Sequence, residues 1–358
     1  MVYFFILFLL YFIGLLEILI DRKDKLINYF LLLFFICFVG LKSAGGTDFG
    51  NYEEIYYKLQ WSTLTKSLIE PLYAILNVFL KSIWNNFYFF WFVIAVINLS
   101  IKISVFQKYT LCLSAALLIY SVGLFIERDF DGVRQGLSIG FCYLSIPYIL
   151  KDRFIPFLLL VLAATFTHAS SIVFLLIYPF RKILISKGFI FIFIFIGIVF
   201  VFLNQSIFNL INGFIPIEIV KVKIELYMEN EDYSAVQGLN IGLVFRIVIL
   251  LLFVFLRERI KMNERLYIVL RNGFFFSIML SLFFYDMQIL AHRMPYVFRE
   301  LQIFIIPSFL TITTDKRVKF LIFSLIFLYS CMLMYRIMLG DNVDAYNAYS
   351  NRLFELFY

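Results

Sequence analysis

The sequence predicts an all-α, polytopic integral membrane protein, and three observations carry that reading. Hydrophobic residues make up 63% of the 358-residue chain and charged residues 15%, with a mean hydropathy of +0.93. Apolar runs of roughly 16–20 residues recur along the whole length, and about 20 residues cross the hydrocarbon as a helix. The runs are continuous, whereas barrel strands alternate in roughly ten-residue pieces. A soluble globule is excluded.

The first run, "MVYFFILFLLYFIGLLEILI", has no basic leader and no small-residue cleavage site, so it reads as a retained span over 3–20. Further spans are expected at 26–41, 87–104, 110–126, 133–150, 154–167, 170–180, 187–204, 239–256, 266–285, 297–313 and 319–338, about twelve in all. Between the second and third, "EPLYAILNVFLKSIW" at 70–84 is apolar but short, which predicts a re-entrant or interfacial helix. No repeat, low-complexity tract or Pro/Gly/Ser linker divides the chain, so a single domain over 1–358 is expected. Its long loops are 42–86, 205–238 and the tail 339–358.

Lys and Arg orient the spans. The connectors "DRKDK", "KISVFQK", "KDR", "RKILISK", "RERIKMNER" and "DKRVK" hold 17 of 31 basic residues and fall on one side, the cytoplasmic one. Both termini then face outward, and 17 of 24 Asp and Glu lie on that outer side. The net charge of +7 is thus topological, and no nucleic-acid partner is expected. Cys37, Cys112, Cys142 and Cys331 lie in or beside apolar runs without short pairing, as small buried hydrophobes do.

Four outer stretches concentrate polar chemistry. "ERDFDGVRQG" (127–136) packs three acids and two arginines between apolar runs; if helical, Glu127, Arg128, Asp131 and Arg134 share a face. Arg134 is then the first charge inside the next span, at a depth where ionisable groups mark substrate paths or internal pairs. Arg128 suits either that use or an interfacial arginine snorkelling to headgroups. "FTHASS" (166–171) places His168 where two short apolar runs meet, like the tip of a broken helix pair. There it can serve as a base, a hydrogen-bond donor to phosphate or a structural residue. "YDMQILAHRMPYVFRE" (285–300) spaces His292, Tyr296 and Arg299 at i, i+4, i+7, with Arg293 alongside, which suits an anion grip or an interfacial belt. "KSAGGTDFGNYEEIYY" (42–57) offers Asp48 and Tyr52 for sugar contacts or helix capping, and Glu70 precedes Pro71 at the short helix.

HExxH, Cys/His clusters, a phosphate-binding glycine loop and GxSxG are all missing from the sequence, and a zinc site from two distant histidines is not expected. Arginine, carboxylate, tyrosine and one histidine fit the handling of a phosphorylated lipid, because guanidinium forks bind phosphate oxygens and an acid or imidazole can take an alcohol proton.

In order, "GTDFGNYEEIYY", "EPLYAILNVF", "RQGLSIGF", "THASS", "HRMPYVFRE" and "DAYNAYS" make the chain resemble the Wzy-type O-antigen and capsule polymerases, in their EpsG-like branch, over roughly 40–350. The resemblance implies a GT-C-type helical glycosyltransferase of the bacterial inner membrane, working on its outer face without cofactor or metal. It implies transfer of glycan from undecaprenyl diphosphate onto another lipid-linked repeat unit, with a chain-length regulator and a flippase as pathway partners and membrane lipid as surroundings. Arg134, His168 and Arg293 carry over as catalytic. Asp48, Tyr52, Glu70, Arg128, Asp131, Tyr296 and Arg299 are the expected substrate contacts. An O-antigen ligase, a lipid-linked oligosaccharide flippase and a membrane acyltransferase using His168, whose partner motifs are missing, are the rival readings.

Overall fold

The computed structural model describes residues 2–20, 25–203, 240–285, 291, 293–340 and 343–355. The expected outer loop 205–238 and His292 lie outside them. In chain order the main elements are α1 (Val2–Ile20), α2 (Lys25–Gly40), β1 (Lys42–Ala44), α3 (Phe49–Lys58), α4 (Pro71–Ile83), α5 (Phe87–Tyr109) and α6 (Leu113–Tyr120). There follow α7 (Val133–Leu144), α8 (Ile146–Leu150), α9 (Phe154–Thr167), α10 (Lys187–Phe202), α11 (Ile241–Phe255), α12 (Glu264–Phe283), α13 (Lys316–Met338) and β2 (Ser350–Asn351). The protein is an all-α membrane protein. Among the described residues, α1, α5, α12 and α13 are long and apolar enough to cross a membrane, and α2, α4, α9, α10 and α11 are shorter apolar helices.

Side-chain caps start several of these helices. Asn86 accepts from the Tyr88 and Phe89 amides at α5, Asn240 and Asn263 cap α11 and α12, and Asp315 caps α13, each satisfying backbone N–H groups that the first turn leaves open. Elsewhere an apolar run does not become one helix. The run 133–150 breaks at Ser145, because Pro147 has no N–H to continue the ladder. The run 110–126 widens from α-helix into π geometry over Ser121–Asp129. Residues Ala169–Ile177 wind as a 3-10 helix, and the run expected at 297–313 falls into the short helices Tyr296–Arg299 and Gln302–Ser308, the latter containing Pro307. The short segment 70–84 forms α4, whose 13 residues extend only about 20 Å at 1.5 Å per residue.

The chain packs as two compact units, Met1–Ile172 with Ile306–Tyr358, and Val173–Ile305. In the first, α2 and α7 pack on α5, α9 packs on α7 and α4, and α1 packs on α6 and α13. Its aromatic core joins Tyr52, Tyr56, Tyr73, Phe87, Phe90 and Trp91. β1 and β2 pair antiparallel, which ties the chain after α2 to the tail after α13. The Tyr3 hydroxyl donates to the Tyr346 carbonyl, so the start of α1 joins the same end.

In the second unit α12 packs on α10, α11 and the Tyr296–Arg299 helix. Arg271 and Asn272, buried in α12, donate to the carbonyls of Ile185, Phe180 and Ile183 and hold the turn that precedes α10.

Candidate functional site

The charged stretch 127–136 is not one helix. π geometry runs to Asp129, the chain turns through Phe130 and Asp131, and α7 begins anew at Val133. Its charges therefore part company instead of sharing a face. Asp129 turns into the bundle, where it accepts from Asn98 at 2.7 Å and also from Lys102 and Tyr120. Both members of the Lys102–Asp129 ion pair are fully buried.

That pairing corrects the assignment of Lys102 to a basic connector. α5 continues unbroken to Tyr109, so Lys102 is an interior residue of the helix. It also sets a depth. Gly40, at the end of α2, lies against Phe92 and Ala95 of α5, whereas Asp129 meets Asn98 and Lys102, about 10 Å further along that helix. The charged stretch is recessed among the helices. Gly136 is required there, since a Cβ would overlap the Asp129 carboxylate.

Asp131 organises the loop after α2. It accepts from the Thr47 hydroxyl at 2.6 Å, the Asp48 amide at 2.8 Å and the Tyr346 hydroxyl at 3.4 Å. It thus anchors Asp48, and the expected pairing of Asp131 with an arginine on a shared helix face gives way to this loop-holding role. Gly46 has φ +86, and a Cβ would stand 2.7 Å from Asp131, so only glycine suits this turn. Asp48 itself is half-buried and opens α3, with the Asn51 amide at 3.4 Å. Burial raises its carboxyl above the usual range and Asp131 adds to the effect, while Asn51, Arg134 and Arg128 oppose it. Arg128 donates to the Glu127 carbonyl at 3.1 Å and lies against Gly132.

Arg134, at the first turn of α7, donates from Nη1 to Glu70 at 2.8 Å; the two side chains are 27% and 20% exposed, so the pair forms the accessible part of the site. Its guanidinium carbon stands 5.8 Å from the Tyr52 ring, and the Tyr52 hydroxyl lies 3.4 Å from its amide nitrogen. Its Nε is buried and has no hydrogen-bond partner among the described residues. Beside it, Gln135 donates to Ser170 at 3.4 Å, and Ser170 also lies 2.8 Å from His168 Nδ1. His168 has extended backbone where α9 gives way to the 3-10 segment. One unit therefore brings Asp48, Tyr52, Glu70, Arg128, Asp131, Arg134 and His168 into one neighbourhood.

Arg293, Tyr296 and Arg299 belong to the other unit. Pro295 caps the start of the Tyr296–Arg299 helix, so Arg293 lies before that helix and Tyr296 and Arg299 within it. Arg293 is exposed, Tyr296 is buried, and the Arg299 guanidinium stacks 3.8 Å over the Tyr296 ring while donating to the buried Glu300 at 2.8 Å. Tyr296 and Arg299 are thus engaged with each other and with Glu300, rather than displayed as a joint grip.

Sequence reasoning passed over Lys42. It is fully buried, donates to the carbonyls of Gly45 and Phe130, and lies 4.0–4.7 Å from the ring centroids of Phe49, Trp91 and Phe130. Ring faces and carbonyls favour its charge. Burial opposes it, and pulls its pKa down to about 7 against the attraction of Asp131 and Asp48. A lysine lowered on folding bears a buried charge at a cost below its folded pKa and loses that cost as pH rises toward its unfolded value, about 10.4. Stability is expected to rise between about pH 7 and 10, and Lys42→Met to flatten that rise, in thermal unfolding of detergent-solubilised protein. An unchanged slope in the variant would remove Lys42 as its source.

The fold and the charge cluster define a polytopic helical membrane protein with a partly buried cluster of charged and polar side chains in its first unit. The chain belongs to the EpsG family, whose model matches residues 25–351. It is 27% identical over 173 residues to the amylovoran biosynthesis protein AmsC of Erwinia amylovora, a match covering 45% of this chain and 46% of that protein. The chain thus spans under half the length of this curated relative. No solved structure matches.

Proposed function

We propose that the protein is a polymerase of lipid-linked polysaccharide repeat units. It transfers glycan from undecaprenyl diphosphate to the non-reducing end of another lipid-linked repeat, on the outer face of a bacterial inner membrane. The observation that carries the reading is the cluster of Asp48, Arg128 and Arg134 with Glu70, partly buried charges that gather where the loop after α2 meets the start of α7 in a helical membrane protein. Membership of the EpsG family and the biosynthetic name of AmsC support it. The pathway's flippase and chain-length regulator are the partners this reading implies.

The acceptor hydroxyl oxygen attacks the anomeric carbon while the bond from that carbon to the diphosphate oxygen breaks. The departing diphosphate keeps the electron pair, and fixed guanidinium groups stabilise its charge without a metal. Nη1 of Arg134 meets Glu70 and its side chain also meets Tyr52, while Nε has no hydrogen-bond partner among the described residues and is left for the substrate. The hydroxyl proton passes to Asp48. This carboxyl keeps acceptor capacity beyond its long contact with Asn51, and its raised pKa suits a base. His168, held by Ser170 beside Gln135, positions the reacting sugar.

Purified protein is expected to extend lipid-linked repeats in excess EDTA. His168→Ala should be severely impaired and His168→Gln partly active, because Gln keeps a hydrogen bond but cannot act as a base. EDTA inactivation reversed by a divalent cation would defeat the metal-free route, and full activity of both variants would leave His168 a structural residue.

A further inference from the structure

α4 carries a polar stripe on its buried face. Glu70, Tyr73 and Asn77 are spaced i, i+3, i+7 and therefore line one side of the helix. Tyr73 and Asn77 are fully buried, yet among the described residues the Tyr73 hydroxyl and both polar atoms of the Asn77 amide have no hydrogen-bond partner. Arg134 Nε, across from Glu70, is a fourth such atom. Tyr73 lies within electrostatic reach of Tyr52, Arg134 and Glu70, with its ring 6.1 Å from that of Tyr52, and Asn77 is one helical turn further on.

Buried polar groups are ordinarily paired, and each one left open costs about 1–3 kcal/mol. Three on one face of α4, with Arg134 Nε near Glu70 at its head, point to a polar ligand. Their chemistry names its class. A phenol and an amide both donate and accept, and Glu70 contributes a carboxylate that repels phosphate. Such a mixture suits hydroxyl groups, which also donate and accept.

We propose that Tyr73 and Asn77, with Arg134 Nε and Glu70, form a subsite that binds the sugar hydroxyls of the lipid-linked glycan. The Arg134–Glu70 pair is its accessible mouth, and α4 is the wall that distinguishes one sugar from another. This rests on the polymerase reading and assigns α4 a substrate role apart from the diphosphate contacts.

The test uses full-length protein with Tyr73→Phe, Asn77→Leu and the double substitution, each nearly isosteric. Lipid-linked repeat units extracted from a polymerisation-deficient strain serve as substrate, and sugar-free undecaprenyl diphosphate as competitor. Each single variant is expected to raise KM for the repeat about tenfold, the loss of roughly one hydrogen bond. Inhibition by the sugar-free lipid should stay unchanged, and the unfolding temperature should hold or rise as unpaired polar atoms disappear. Asn77→Ala, which adds no bulk, gives the same readout should the leucine variant fail to fold. An unchanged KM with a raised unfolding temperature would overturn the subsite, leaving ordered water or bare polar atoms in the bundle. Equal weakening of repeat and sugar-free lipid would transfer these residues to the diphosphate. Wild-type protein unable to extend repeats would instead sink the polymerase reading, a distinguishable result.

Discussion

Arg134→Ala is expected to abolish polymerisation in protein that still inserts and accumulates. The substitution removes the guanidinium and leaves Glu70, now without its cation, at the mouth of the site. Loss of one preorganised donor to a developing oxyanion costs roughly 10²–10³-fold in rate, and the unpaired carboxylate adds repulsion toward the diphosphate. Lysine should rescue poorly. A point charge can meet Glu70 but cannot also present the fork and the Nε edge. Cells carrying either variant should accumulate single-repeat glycans on the lipid anchor in place of a ladder on a carbohydrate-stained gel. A normal ladder from Arg134→Ala at wild-type protein levels would eliminate its catalytic role.

The second large effect falls on folding. Lys102→Met is expected to destabilise the protein by about 3–5 kcal/mol, because it leaves the Asp129 charge buried without its counterion. Asn98 and Tyr120 would still donate to that carboxylate, but neither neutralises it. The double variant Lys102→Met/Asp129→Asn removes both charges and should recover most of the loss, since replacing a whole buried pair is often neutral. Monodisperse yield after detergent extraction and the unfolding temperature report the difference. Equal instability in single and double variants would mean that packing around Lys102, rather than its charge, holds this region.

These two residues show how far a one-dimensional reading reaches. Continuous apolar runs announced the helical membrane class, and motifs at 48, 70, 134 and 168 marked residues that meet in one unit. Which polar residue faces which was hidden. Hydropathy ranks whole segments, so Lys102 was counted with the charged connector that follows it, although Asn98 four residues earlier signalled a polar pair inside an apolar helix. The acids of 127–136 were read on a 3.6-residue period, but π geometry and the turn at 130–131 redirect Asp129 inward and Asp131 toward Thr47. Pro71 marks Glu70 in the sequence, whereas Tyr73 and Asn77 read as ordinary residues of a short apolar helix, because their burial arises from packing against other segments. Lys42 stands just beyond α2 with nothing in the neighbouring sequence to mark it. Its cage is built from Phe49, Trp91 and Phe130, a tertiary arrangement without a local signature.

The pairing of β1 with β2 has a consequence in time. Gly46 donates its amide to the Ala345 carbonyl, Tyr346 completes the shell of Asp131, and Tyr349 stacks on Phe38 with centroids 4.5 Å apart. The loop that presents Asp48 is therefore closed by residues translated some 300 positions later. At about 5–20 residues per second, a ribosome reaches Tyr346 roughly 15–60 s after Asp48. Throughout that interval the early helices wait in the bilayer with Asp131 short of a donor and the glycine turn unpinned. A nascent chain cannot assemble this loop helix by helix; the segment after α13 is its latch, and a product truncated before Tyr346 would keep its spans but leave the loop that presents Asp48 open.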